Sequence, residues 1–334
     1  MTAPLLLESS DLAVTITAEV GGTITQIAVK RSGLKVLGSV PWPVTNAPIA
    51  SAAARSEPEW LTRYSGGWPL LFPNGGDACA FDGVFHGFHG EGSISPWDVV
   101  SHSIDRLVLA RRFATVPVEM RREMQVEGDL LIISERLRMT GEHPVQVMWG
   151  HHPTLGSDLL AAPIEITCGA RTVMVDREYD PLANPLRPGA KGAWPMIAGK
   201  KGSYNLSQPQ EPMASLAYLQ DFKQGWIAVR RLDDRIAVAL SWDKSRFPCA
   251  WLWCELAGNP DAPWRNQTRL IGIEPNTTWP AWGLAKAKQA GGTLLRLLPG
   301  DELDTTLRFQ AFTPAGPVTG IDSAGRALAG HNPG

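Results

Sequence analysis

Glu127-Gly128-Asp129, followed by Leu130-Leu131-Ile132-Ile133-Ser134-Glu135-Arg136-Leu137-Arg138-Met139, is a turn running into a β-rich segment. Asp129 after Gly128 suits a tight connection between adjacent antiparallel strands. The same rhythm extends both ways. Upstream lie Ala13–Val20, Thr23–Val29 and Arg106–Ala114. Downstream lie Val145–Trp149, Ile164–Thr167, Trp226–Arg230, Ile236–Trp242, Trp251–Glu255, Leu270–Glu274 and Thr305–Phe312. Turn chemistry separates them, as at Glu19-Val20-Gly21-Gly22, Leu232-Asp233-Asp234 and Pro299-Gly300-Asp301. No long stretch keeps a helical period with caps, and the best helical candidate, Ser51–Leu61, is short and interrupted by Pro58. The expected fold class is all-β: a large antiparallel β-sandwich of two sheets packed face to face.

The chain has 334 residues, enough to bury a sizeable core without staples. We see no internal repeat or composition break, so residues 1–314 are expected to form a single β-sandwich domain. Residues 315–334, a Gly/Ala/Pro-rich tail, are expected to add little to its core. Three loop-rich stretches break the strand rhythm: Gly66–Trp97, Asp180–Gly202 and Ala257–Pro280. Long loops in a compact β domain tend to build sites.

A hydrophobic fraction of 44% and a charged fraction of 19% describe a soluble globule. The formal net charge is -2 with no long basic run, which argues against nucleic acid and against anionic lipid. A neutral ligand fits this balance better. The N-terminal Met1–Val14 carries no basic n-region, and no segment reaches the apolar length of a membrane span. The expected address is therefore cytoplasmic. Four cysteines (Cys79, Cys168, Cys249, Cys254) lack metal-site spacing and read as reduced thiols.

Two of the histidine groups stand out. Phe85-His86-Gly87-Phe88-His89-Gly90-Glu91-Gly92 places two imidazoles and a carboxylate in a glycine-rich loop. Trp149-Gly150-His151-His152-Pro153 places two more at the end of an apolar strand. Strand side chains alternate, so His151 and His152 are expected on opposite faces of the sheet. A metal site is the weaker reading of these clusters, because loop glycines give His86, His89 and Glu91 no fixed geometry. Taken singly, any of these histidines is more often a hydrogen-bonded core or turn residue. Glu274 closes an apolar strand before Pro275, where a carboxylate is costly to desolvate without partners or a task. A partly exposed turn cap explains it about as well. Tryptophan is over-represented at 13 residues against 4 tyrosines, and Trp68, Trp97, Trp149, Trp251, Trp253, Trp264, Trp279 and Trp282 flank the loops. Aromatic faces stack on the C–H faces of sugars, although sandwich core must account for several of these rings.

In chain order these groups resemble the aldose 1-epimerase family, with its hexose-6-phosphate and galactose mutarotase relatives. The resemblance runs from about Gly66 to Phe312, and more loosely from the N-terminal strands. Gly67-Trp68-Pro69-Leu70-Leu71-Phe72-Pro73 is similar to the family's lead-in to the active-site loop. His89-Gly90-Glu91-Gly92-Ser93-Ile94-Ser95-Pro96-Trp97 resembles its His-Gly segment ending in Pro-Trp. His151-His152-Pro153-Thr154-Leu155-Gly156 resembles its His-Pro segment, Ile273-Glu274-Pro275 its Glu-Pro element, and Leu297-Leu298-Pro299-Gly300-Asp301 its late turn. Each motif is short, but their order over more than two hundred residues is fairly specific.

The resemblance implies a galactose mutarotase-like supersandwich that interconverts the anomers of an aldose without metal or organic cofactor. Glu274 matches the general base, His152 the general acid, and His89 a sugar-binding histidine. Asp221 is the best candidate for the aspartate that relatives place on a sugar hydroxyl, with Asp180 second. Trp68 and Trp279 are the expected stacking residues. The chain departs from the family at Ser93, where many relatives carry a substrate-binding arginine; Arg63 or Arg265 are candidate substitutes. It departs again at Thr154-Leu155, where an aromatic pair is usual. The expected partner is a small sugar, and the expected assembly a monomer or homodimer. A non-catalytic carbohydrate-binding protein on the same fold is the alternative, because a fold alone does not fix function. A sugar lyase on a related scaffold ranks well behind both.

Overall fold

The computed structural model describes residues 3–45 and 54–330; His331 and residues 51–53 of the helical candidate lie outside the described residues. Val118–Glu127 and Leu130–Met139 pair antiparallel about the Gly128-Asp129 turn, with Gly128 at a φ of 59°. Buried and exposed side chains alternate along both strands. Met120, Met124, Leu131, Ile133 and Leu137 face inward, while Arg112, Arg136 and Arg138 meet Glu119 and Asp304 on the outer surface. These exposed ion pairs contribute little stability each. The alternation of apolar and charged residues is what fixes the register.

This hairpin belongs to an eight-stranded sheet ordered Ile164–Cys168, Gly225–Arg231, Ala237–Trp242, Glu302–Phe312, Leu130–Met139, Val118–Glu127, Arg106–Arg112 and Asp98–His102. A second eight-stranded sheet faces it. Its path runs Lys191–Ala193, Thr172–Val175, Met213–Gln220, Cys249–Leu256, Arg269–Asn276, Gly150–His151 and Leu70–Leu71, with Thr154–Leu155 also paired to Arg269–Asn276. A smaller four-stranded sheet at the N-terminus, Leu5–Glu8 to Leu34–Lys35, adds Leu12, Val14 and Ile16 to the same core. The result is the antiparallel β-sandwich the pattern implies.

The centre of the second sheet is covered on both faces. Ala250, Leu252, Cys254, Ile271 and Ile273 point into the core between the sheets. The alternate residues Trp251, Trp253, Gly272 and Glu274 point the other way, with Trp251 opposite Glu274 and Trp253 opposite Gly272. That outer face is where the loops gather.

Beneath the same region, the inter-sheet core holds a polar group. Arg122 Nε lies 3.0 Å from Glu135 Oε1, and His151 Nε2 lies 3.2 Å from Glu135 Oε2, all with fully buried side chains. Trp149 donates its indole N–H to Glu135 at 3.1 Å, and Trp68 donates its own to His151 Nδ1 at 3.2 Å. An indole N–H only donates, so Nδ1 is the acceptor and Nε2 is the nitrogen that faces Glu135. Arg122 also donates to the Gly22 carbonyl at 3.1 Å.

Several details differ from the expectations. The tail is not peripheral: Val318–Ile321 and Ala327–Ala329 form a hairpin, and Val318 and Ile321 are buried against Trp226, Ala228 and Ala239. Arg326 pairs with Asp129, and Ala327 N–H donates to Gln310 at 2.7 Å. Glycine and proline here shape turns rather than loosen the chain. Pro58 does not interrupt a helix but begins one, sitting in the first turn of Glu57–Leu61 behind the Ser56 cap. A second helix, Gly283–Gln289, and the strands Val118–Glu127, Thr172–Val175 and Met213–Gln220 were not among the expected elements.

Glu135→Ala leaves Arg122 charged and unpaired in the core, and should cost about 3–5 kcal/mol in denaturant unfolding. A loss within experimental error would show that the buried pair is not maintained.

Candidate active site

The outer face of the second sheet forms the floor of a cavity of about 300 Å³. That volume is at the lower end for small-ligand sites. Glu274, His152 and His89 converge there, with aromatic walls that include Trp60, Tyr64, Trp253, Trp264 and Trp282.

Glu274 arrives on Arg269–Asn276, the strand ending in Pro275-Asn276. Its carboxyl lies back over Gly272, where any Cβ would collide with Oε1. Glycine there leaves the carboxyl its room, and a larger residue would have to displace it. Glu274 is 1% exposed, and Oε2 has no hydrogen-bond partner. Burial raises its pKa well above the ordinary carboxylate range.

His152 follows Gly150–His151, and the alternation there divides the two histidines. His151 enters the core, while His152 enters the cavity with Nε2 3.4 Å from Glu274 Oε1. Its other nitrogen is 2.9 Å from Thr154 Oγ1, which also contacts the Tyr64 hydroxyl at 2.7 Å and donates to the His152 carbonyl at 3.3 Å. With its one proton committed to that carbonyl, Thr154 Oγ1 accepts from both Nδ1–H and Tyr64 O–H. Nδ1 therefore keeps its proton, and Nε2 is the nitrogen that gains or loses one. Burial pushes the His152 pKa down to about 4 and holds Tyr64 as a neutral phenol by raising its pKa. Burial thus favours a protonated Glu274 facing a neutral His152. The pair holds one proton that either partner can carry.

His89 is set by its loop. Its backbone adopts a φ of 57°, followed by Gly90 at 74°. The N–H of Gly76 donates to His89 Nδ1 at 3.0 Å while the N–H of His89 donates to the Gly76 carbonyl at 3.0 Å. Asn74 ties the same loop together by donating to the carbonyls of Asp77 and Gly87. Burial first, and then the neighbouring His152, push the His89 pKa well below its ordinary value. The neutral ring therefore presents Nε2–H as a donor.

Trp60 comes from Glu57–Leu61. It stacks on Tyr64 at 4.4 Å between centroids, meets the His89 ring at 4.8 Å, and donates its indole N–H to Ser93 at 2.9 Å. Ser93, the departure from the family's arginine, thus anchors a tryptophan.

The structure does not bring Trp68, Trp279 or Asp221 to this cavity. Trp68 is fully buried between the sheets, against His151 and Phe309. Trp279 packs beside Tyr218 at 6.0 Å, and Trp282 forms that part of the wall instead. Asp221 occupies a surface turn at a φ of 56° and grips Arg171 with both oxygens, at 2.7 and 3.0 Å. Asp180 is also outside, paired with Lys200 at 2.7 Å. Neither Arg63 nor Arg265 lines the cavity.

Asp176, which sequence reasoning missed, is the buried aspartate of the cavity. It follows the strand Thr172–Val175. Oδ1 accepts the backbone N–H groups of Glu178 and Tyr179, both at 2.7 Å. Oδ2 accepts from the Tyr218 hydroxyl and from the Trp282 indole at 2.9 Å. The signal was present in the sequence: a carboxylate ending a short apolar run, as at Glu274.

Comparison with solved structures places this architecture among galactose mutarotase-like folds. Slr1438 protein from Synechocystis sp. PCC 6803 is 18% identical, covering 94% of this chain and 96% of its own, with a TM-score of 0.67. A galactose mutarotase-like protein from Lactobacillus casei ATCC 334 is 15% identical over 93% of this chain and 100% of its own, with a TM-score of 0.62. An aldose epimerase homologue from C. elegans is 13% identical over 94% and 99%, with a TM-score of 0.61. At these identities the likeness is one of fold. No protein-family model matches the chain, and no curated protein matches it. Among the described residues no helix is long and apolar enough to cross a membrane.

The burial of both groups has consequences for stability against pH. His152 and His86 are both pushed from 6.5 to about 4 by burial. Between these values the unfolded chain binds protons that the folded one refuses, so stability falls as the pH drops through that window. Glu274 acts oppositely: above 4.5 the folded state keeps a proton that the unfolded state has lost, so its contribution falls as pH rises. Glu274→Gln should therefore gain stability relative to the parent as pH rises above 4.5, measured by urea unfolding across a pH series. A pH-independent difference would mean that Glu274 titrates normally.

Proposed function

We propose that this chain is an aldose 1-epimerase, interconverting the α and β anomers of an aldose by acid–base opening and closing of the sugar ring. The observation that carries the reading is the meeting of Glu274 and His152, 3.4 Å apart, in an aromatic-walled cavity of sugar size.

The chemistry needs one base, one acid and a surface that orients the ring. Glu274 takes the proton from the O1 hydroxyl, and His152 Nε2 delivers one to the ring oxygen O5. The C1–O5 bond breaks and the O1–C1 bond becomes the carbonyl. Rotation about C1–C2 turns the other face of the aldehyde to O5, and the reverse transfers close the ring. One proton enters Glu274 as one leaves His152, so the pair's proton count is unchanged.

This direction requires Glu274 ionised and His152 protonated, the arrangement that burial by itself opposes. Hydroxyl groups of a bound sugar solvate the Glu274 carboxylate, whose Oε2 is otherwise unpartnered. That shifts the shared proton to His152. His89 Nε2–H is oriented to donate to a sugar oxygen, while Asp176, whose two oxygens each already accept two hydrogen bonds, holds Tyr218 and Trp282 in the wall. Trp60, Trp253 and Trp282 offer faces for the C–H side of the ring.

The test is polarimetry of freshly dissolved α-D-glucose and α-D-galactose. The parent protein should accelerate mutarotation, and Glu274→Gln should lose about 10²–10⁴-fold of the rate while remaining folded. Turnover near the parent level in that variant would remove Glu274 from the role of base. Binding of sugars without acceleration would favour a carbohydrate-binding protein on the same fold.

A further inference from the structure

We propose that the site's preferred substrate class is an aldose bearing an ammonium group, in preference to a neutral or phosphorylated aldose. The inference rests on the epimerase reading and extends it to the substrate.

Besides Glu274, which burial keeps protonated, four acidic side chains line the cavity: Glu57, Asp77, Asp176 and Glu178. Among the described residues no lysine or arginine does. Lys286, outside the lining, pairs with two of these carboxylates, Asp77 at 3.2 Å and Glu178 at 3.3 Å. The cavity lining is thus acidic while the chain as a whole is close to neutral, at -2. A concave, low-dielectric wall focuses such a field on whatever enters.

A second observation points to a ligand rather than to a solvated acidic surface. Glu274 is 1% exposed, and its Oε2 is buried without a partner in the same cavity. The walls are aromatic, with Trp60 set over His89 and Trp253 packed edge-on against Trp264 at 5.5 Å. Aromatic faces combined with nearby carboxylates suit an ammonium, which draws on ring quadrupole and charge together. A neutral sugar uses the faces alone. A phosphate would enter an acidic cavity with no arginine at the Ser93 position, where the side chain is already bonded to Trp60.

The experiment compares D-glucose, 2-amino-2-deoxy-D-glucose and D-glucose 6-phosphate at slightly acid pH, where the amine is charged. Anomer exchange is followed by NMR and binding by calorimetry on the parent protein, since interconversion consumes nothing. The amino sugar should bind about tenfold more tightly than glucose, with kcat/KM raised in proportion, and the phosphosugar should not be turned over. In the double variant Glu57→Gln/Glu178→Gln the ratio between amino sugar and glucose should fall toward one. Equal or better use of glucose, or turnover of the phosphosugar at a comparable rate, would overturn the substrate class and leave the epimerase reading intact. Tighter binding of the amino sugar with no exchange of any sugar would uphold the class and overturn the epimerase.

Discussion

His151 and His152 are neighbours in the chain, and extended backbone sends neighbouring side chains to opposite faces of a sheet. His151 meets Glu135, Trp68 and the inter-sheet core; His152 meets Glu274 in the cavity. The sheet at this point divides a packed interior from the aromatic-walled cavity. Moving the strand by one residue would exchange the two environments. The charged Arg122–Glu135 pair and its indole donors lie directly behind the cavity. Apolar residues often serve a core as well or better, so buried polarity of this kind is not explained by stability alone. Its geometric effect is to tie His151 to the facing sheet, and with it the backbone that carries His152.

Desolvation then sets the chemistry. Burial disfavours the charged form of either group, so it raises Glu274 and lowers His152 by the same cause. Two groups whose ordinary pKa values would leave them ionised as a pair are instead brought close to exchanging roles. Thr154 and Tyr64 hold Nδ1, leaving Nε2 alone to move the proton. Gly272 leaves room for the carboxyl, and the clamp between His89 and Gly76 aims a third polar group.

Much of the architecture was legible because alternation and turn chemistry are local. Gly128-Asp129 turns where expected, and the strands on either side keep the period-two pattern. Glu274, His152 and His89 come together in space, and each had a sequence signal of its own: a carboxylate ending an apolar strand, a histidine pair of opposite facing, and a histidine in a glycine loop. Trp68 shows where such reading stops. It lies in a loop-rich, aromatic stretch, yet composition does not say which face a ring takes, and its indole N–H serves His151 in the core. Asp221 is an aspartate in a tight turn, satisfied by Arg171. Asp176 was missed because Thr172–Val175 is only four residues long and was not read as a strand. The tail was misjudged because a glycine- and proline-rich composition does not reveal that Val318 and Ile321 have a sheet to cover.

The central claim is geometric: Glu274 addresses the anomeric hydroxyl while His152 Nε2 addresses the ring oxygen of one bound sugar. A crystal structure of Glu274→Gln soaked with an aldose tests it most directly. The account predicts O1 within hydrogen-bond distance of residue 274 and O5 within hydrogen-bond distance of His152 Nε2, with His89 on another oxygen of the sugar. A sugar bound in this cavity with C1 turned away from both residues, or bound elsewhere on the molecule, would contradict it.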